Sequence, residues 1–187
     1  KSEGKLALKQ ALKISKDVLK ALVYTHDKSI IHRDLKPGNI RFDLRGNAIV
    51  TDFGLVKDLQ ETSITMTGIS IGTPQYMSPE QLLGEDVDER SDLYQLGVML
   101  YEMLAGQTPY AGKSPYASGQ DGEAPPIPPP TQFNQEVPEA LEELVLKSLE
   151  RDPASRFQSS EEMLQALTKV ERKVEARQAS LRSGSST

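Results

Sequence analysis

The chain has no cysteine in its 187 residues. Disulfides and thiolate metal sites are therefore excluded, and the composition suits a reducing compartment. No apolar run approaches the ~20 residues of a membrane-spanning helix, and no signal-peptide pattern is visible. An excess of basic residues is also lacking. The net charge of −5 argues against nonspecific binding to nucleic acid, which depends on cationic surface. The 31 residues before His32 hold no glycine-rich loop of the kind that cradles phosphates. What is present is ordinary for a globular chain: 37% hydrophobic and 26% charged residues, in a length that supports one domain with a real core. The first residue is Lys1 rather than Met, which reads as a fragment or a processed product. The expected location is cytoplasmic, with room for a membrane anchor outside this stretch.

Periodicity organises the chain. Leu8, Leu12, Leu19 and Leu22 share one helical stripe, and Lys9, Lys13, Lys16 and Lys20 share another, which predicts an amphipathic helix over 5–25 with a solvated lysine face. His26 falls at the end of that helix. Ile40 to Phe42 and Ala48 to Thr51 read as two short strands joined by a turn over 43–47. Residues 55–77 lack periodicity and are rich in Thr, Ser and Gly, as a loop would be. A helix opened by Ser91 and stopped by Gly106 is apolar all round, as a buried central helix requires. Residues 111–130 end in a proline-rich stretch that is extended and serves as a spacer within the domain. Helices follow near 138–150 and 159–177, the second with a capping box from Ser159 to Glu162. Residues 178–187 read as a flexible tail.

The chemistry-bearing residues cluster in His32-Arg33-Asp34-Leu35-Lys36-Pro37-Gly38-Asn39 and Asp52-Phe53-Gly54. Transfer of a phosphoryl group to an alcohol needs a group that orients and deprotonates the hydroxyl, cations against the phosphate charge, and ligands for those cations. Asp34 can be the base and Lys36 can lie against the phosphate. Asn39 and Asp52 offer oxygens to magnesium, a hard cation. Gly54 permits a sharp turn after Asp52.

These residues resemble the catalytic loop and the Asp-Phe-Gly motif of eukaryotic-like protein kinases. The resemblance continues in order over about residues 5–170. Gly72-Thr73-Pro74-Gln75-Tyr76-Met77-Ser78-Pro79-Glu80 is similar to the family's substrate-facing loop, with Ser78 in place of its usual alanine. Asp92-Leu93-Tyr94-Gln95-Leu96-Gly97 resembles its buried central helix, and Arg151-Asp152-Pro153 with Arg156 its late arginine motif. Lys36-Pro37 and Gly72-Thr73 are similar to serine/threonine rather than tyrosine kinases, and the wording resembles the bacterial Hanks-type branch.

The resemblance implies a mainly α fold, the kinase carboxy-terminal lobe over 1–177, with one small β-hairpin carrying the catalytic loop. The amino-terminal lobe, with its glycine-rich loop, strand lysine and helix glutamate, is absent from the sequence. The implied activity is transfer of the γ-phosphate of ATP, with Mg2+, to Ser/Thr hydroxyls of protein substrates by the full-length parent. This chain alone should be inactive, its partner being the missing lobe of the same polypeptide. Asp34 and Lys36 would be catalytic, Lys36, Asn39 and Asp52 would bind nucleotide, and Asn39 and Asp52 would hold the metal. Thr73 would face the substrate. Glu80 would pair with Arg156, Asp92 would hold the backbone at His32, and His32 would stack with Phe53.

Arg33 before the catalytic aspartate implies control by phosphorylation, since a phosphate can pair with such a cation. Thr65 or Thr67 is the expected site, ahead of Thr62, Ser63 and Ser70, with a homodimer as the route to autophosphorylation. Two departures from the family bear on function. Arg41 stands where an aliphatic residue usually lies under the adenine, and Pro115, Gly119 and Gly122 disfavour a helix that usually helps dock substrates. Two alternatives are an interaction scaffold without catalysis and a truncated remnant. The scaffold is disfavoured because it has no need of Asp34, Lys36, Asn39 and Asp52 together.

Overall fold

The computed structural model describes residues 4–53, 74–110 and 126–184. Helix α1 (Leu8–His26) buries Leu12, Leu19 and Leu22, with Ala11, Ile14 and Val18 widening the same face. It starts later than the apolar stripe suggests because the Leu6 N–H donates to the Met103 carbonyl at 2.8 Å, which holds the preceding segment in tertiary contact. Its lysine face is mostly solvated, although Lys13 reaches the Gly46 carbonyl at 2.6 Å and Lys16 pairs with Glu171. After α1 the chain reverses through Ser29, whose φ of 56° lies in the left-handed region. That reversal delivers Ile30-Ile31 into the loop that carries His32 to Asn39.

Strands β1 (Ile40–Phe42) and β2 (Ala48–Val50) pair antiparallel, with Ile40 opposite Val50 and Phe42 opposite Ala48. Ile40, Ala48 and Val50 face the core, whereas Arg41 and Ile49 are exposed. The connecting turn is built by Asp43, whose carboxylate accepts the N–H groups of Arg45 and Asn47, each at 2.8 Å.

The short helix α2 (Pro79–Leu83) was not apparent from periodicity. Its five residues are too few to show one, but Ser78 and Gln81 cap it and Gly84 ends it at φ 69°. Helix α3 (Glu89–Ala105) runs through the core, and every residue from Ser91 to Tyr101 is buried. Its N-cap is Asp88, which accepts the Arg90 N–H at 2.9 Å, and not Ser91. The Ser91 hydroxyl is instead taken by the buried Glu80 carboxylate. Gly106 closes α3 at φ 80°.

The proline-rich stretch enters the domain rather than leaving it. Tyr101 donates to the Pro128 carbonyl at 2.8 Å, and Pro130 is buried. Helix α4 (Glu139–Ser148) packs on α3, and α5 (Ser160–Gly184) packs on α1 and α4. In α5, Ser159 Oγ accepts the Glu162 N–H at 3.1 Å, but Glu162 returns its carboxylate to Gln158 rather than to Ser159. Helix α5 continues to Gly184, past the end that the sequence pattern suggests. Residues 176–182 are rich in good helix formers, so the backbone does not break where the apolar stripe fades. The leucine-rich core formed by α1, α3, α4 and α5 is one continuous cluster. The hairpin and the loop before it lie along one edge of that cluster.

Candidate active site

The loop between α1 and β1 is held open by buried polar groups, not by regular structure. Asp92 of α3 is fully buried. Its two oxygens accept the backbone N–H groups of His32 and Arg33, each at 2.8 Å. Arg33 consequently sits at φ 68°, a left-handed conformation that costs a non-glycine residue about 1–3 kcal/mol. The carbonyl of Arg33 is held in turn by the side-chain amides of Gln81 at 2.6 Å and Gln95 at 3.0 Å. This strained turn projects Asp34 to the surface.

Around Asp34 the hydrogen bonds converge. Lys36 Nζ lies 2.7 Å from its Oδ2. The Asn39 Nδ2 group donates to the Asp34 carbonyl at 2.7 Å and to its carboxylate at 3.2 Å. Both side chains of the Lys36–Asp34 pair are about one-third exposed, so the pair contributes little to stability, about 0–1 kcal/mol. Its importance is positional. It keeps a cation and a carboxylate together at the mouth of the loop.

The hairpin register brings the second motif alongside. Past β2, Thr51 donates from its N–H and its hydroxyl to the Asn39 carbonyl, at 2.9 and 3.1 Å. Asp52, the next residue, therefore lies beside Asn39. Asp52 is exposed and has φ 63°, so its carboxylate turns away from the core. With its NH2 spent on Asp34, Asn39 keeps a side-chain oxygen that, among the described residues, accepts no hydrogen bond. An amide oxygen and a carboxylate are hard donors that fit magnesium. Among the described residues no group of three or more His, Cys, Asp or Glu side chains is placed to hold a metal. A cation at Asn39 and Asp52 would have room for water or phosphate oxygens as further ligands.

His32 is packed rather than poised for proton transfer. Its Nδ1 accepts the Asp34 N–H at 3.2 Å and its Nε2 donates to the Thr51 carbonyl at 2.9 Å. The ring meets Phe53 edge-on, with centroids 4.7 Å apart. The two motifs are thus joined by one imidazole.

Below the site, Glu80 and Arg156 form a two-pronged ion pair, each N···O contact at 2.8 Å. Both side chains are almost wholly buried. Burial by itself pushes the Glu80 carboxyl up. The hydrogen bonds from Arg156 and Ser91 outweigh it and bring the group down to about 2. Arg156 also donates to the carbonyls of Glu150, Arg90 and Arg151. It thereby ties α2 to the start of α3 and the segment before α5. Tyr76 is anchored to α3 through Glu102, and burial followed by that carboxylate raises its phenol above the usual value.

Gly54, Thr62, Ser63, Thr65, Thr67, Ser70 and Thr73 lie outside the described residues, as do positions 114–122. Three polar residues of the site, of which Gln95 is fully buried, do not stand out in the sequence. Gln81 and Gln95 hold the Arg33 carbonyl. His26 bridges Asp92 at 2.9 Å to the Ser160 hydroxyl at 2.5 Å. Their partners stand tens of residues away, and no local spacing signals them.

The protein kinase domain profile matches residues 1–167. The chain belongs to the protein kinase family. Serine/threonine-protein kinase PknB of Mycolicibacterium smegmatis is 42% identical over 172 residues, covering 90% of this chain and 27% of that protein. A probable serine/threonine-protein kinase of Clostridium perfringens is 39% identical, covering 92% and 25%. The chain thus spans about a quarter of the length of these curated relatives. Among solved structures, the PknI kinase domain of Mycobacterium tuberculosis superposes with a TM-score of 0.66 at 26% identity, over 88% of this chain and 56% of that one. The relatives place the kinase chain in the Hanks-type bacterial branch, and its helical fold with a two-stranded sheet corresponds to about half of a solved kinase domain.

Proposed function

We propose that this chain is the substrate-side half of a serine/threonine protein kinase, acting in a longer polypeptide that supplies a nucleotide-covering lobe. The observation that carries the reading is the Asp34 carboxylate held between Lys36 and Asn39, with Asp52 beside Asn39 across the hairpin register. Magnesium-bound ATP supplies the phosphoryl group and the charge-neutralising cation when bound. Asp34 orients the Ser/Thr hydroxyl of a protein substrate and receives its proton. Lys36, 2.7 Å from Asp34, keeps positive charge where the transferred phosphate would stand. Asn39 and Asp52 would hold the metal through oxygen.

The isolated chain should transfer phosphate negligibly, because its sequence has no glycine-rich loop or strand lysine for the nucleotide. Arg33 supports a phosphate switch. It is exposed, and among the described residues its guanidinium has no partner, so it is available to a phosphorylated Thr65 or Thr67. Thr73 would contact the substrate. Autophosphorylation of the loop would proceed within a homodimer. Among the described residues no helix is long and apolar enough to cross a membrane.

Incubating the intact polypeptide with labelled ATP, Mg2+ and a generic protein substrate tests the reading. The expected product is phosphoserine or phosphothreonine, lost on chelation of Mg2+, and phosphopeptides of the enzyme itself should map to Thr65 or Thr67. Phosphotyrosine alone, or no transfer, would refute the assignment.

A further inference from the structure

We propose that Gln95, assisted by Gln81, is the positioning residue that fixes Asp34 by holding the peptide groups on both sides of it. This rests on the kinase reading above and names a part of the same site. Gln95 lies on α3 and is 1% exposed. A buried amide must satisfy both its oxygen and its NH2 group, and Gln95 directs both at the catalytic turn. Its Oε1 accepts the Leu35 N–H at 2.7 Å. Its Nε2 donates to the Arg33 carbonyl at 3.0 Å and to Gln81 Oε1 at 2.8 Å.

The Arg33 carbonyl belongs to the peptide group entering Asp34, and the Leu35 N–H to the one leaving it. One side chain therefore clamps both peptide planes that determine where the Asp34 carboxylate points. Gln81 completes the clamp. Its Nε2 makes the second bond to the Arg33 carbonyl at 2.6 Å, and its Oε1 accepts the Ser78 N–H at 3.0 Å. Asp92 cannot do this work, because it holds only the N–H groups upstream, at His32 and Arg33. Lys36 holds only the carboxylate, and Asn39 reaches the carboxylate and the carbonyl of the peptide group leaving Asp34 but not the group entering it.

Arg33 is the residue that would relax if the clamp were lost. Its left-handed backbone, at φ 68°, is restrained by Asp92 at its N–H and by the two glutamines at its carbonyl. The arrangement also accounts for the residue type. The group at position 95 must accept and donate at once, which a carboxylate or an aliphatic side chain of the same length cannot do.

The test compares wild type with Gln95→Met and Gln81→Met in the intact polypeptide. Methionine keeps the volume of glutamine and removes the hydrogen bonds. For Gln95→Met, kcat should fall by about ten- to a hundredfold while KM for ATP and for substrate changes little, as misplacement of a reacting group predicts. Hydrogen exchange in the 187-residue chain should accelerate at the Leu35 amide and not at Leu167 in α5. Gln81→Met should give a smaller fall in kcat in the same direction. A wild-type kcat in Gln95→Met would overturn the proposal. So would a loss that merely follows the folded fraction, with Leu35 and Leu167 exchanging faster together. If Gln95→Met does not fold, the partly exposed Gln81→Met decides, and an unchanged kcat there overturns the clamp. Absence of transfer by wild type refutes the kinase reading itself and is visible before any variant is made.

Discussion

At the scale of single residues, the Glu80–Arg156 pair shows how a charge can be taken into the core without loss. All three nitrogens of the Arg156 guanidinium donate, to one carboxylate and three carbonyls, and the group lies over the Tyr94 ring at 4.9 Å. Removing the cation would strand a buried carboxylate, so Arg156→Met should lower unfolding stability by about 3–5 kcal/mol in urea titrations. The Glu80 carboxyl is lowered to about 2 in the fold. Its contribution is therefore fully present above the ordinary glutamate range near pH 4.5 and is lost as pH falls towards 2. Acid titration of stability should show that loss in wild type and a flatter curve in Glu80→Gln; parallel curves would assign the acid sensitivity elsewhere. Asp34, Asn39 and Asp52, the residues proposed for the chemistry, could be singled out in the sequence because they stand in two short runs. The glutamines that hold the turn could not, since an isolated Gln carries no pattern and its bonds are made only once α3 has packed.

Among the elements, α3 decides how the rest fit. The helix touches its neighbours on every side, and at Gly97 it approaches α4 so closely that an added Cβ would meet Ser148 Oγ at 2.2 Å. Gly97→Ala should therefore destabilise the fold by about 1–3 kcal/mol through overpacking. Ser148→Ala in the same background should recover part of that, because the hydroxyl is the nearer obstacle; thermal unfolding of the single and double variants measures both. The apolar surround of α3 was plain in its sequence, and so was its glycine stop. Its start was misread at Ser91 because hydroxyl and carboxylate caps compete in Asp88-Glu89-Arg90-Ser91-Asp92. Only the buried position of Glu80 settles which group Ser91 serves. Helix α2 was invisible for a different reason: five residues give no periodicity, and its definition comes from capping and from the Arg156 bond beneath it.

Across the whole molecule, α1, α3, α4 and α5 build a packed base, and the proposed catalytic groups occupy strained loops and a small hairpin along its edge. Asp92 couples the two by binding the turn with its carboxylate, and His26 and Ser160 continue that link into α1 and α5. The order of motifs in the chain was enough to infer this base and the family. It could not reveal that one buried amide reaches both peptide groups flanking Asp34. The central claim is that Asp34 is the group at which a substrate hydroxyl gives up its proton. The most direct measurement is the rate of phosphate transfer to a Ser/Thr substrate by the intact polypeptide, for wild type and for Asp34→Asn matched in melting temperature. The account predicts a fall of about two to four orders of magnitude in kcat with nucleotide affinity retained. Transfer at the wild-type rate by Asp34→Asn would contradict it.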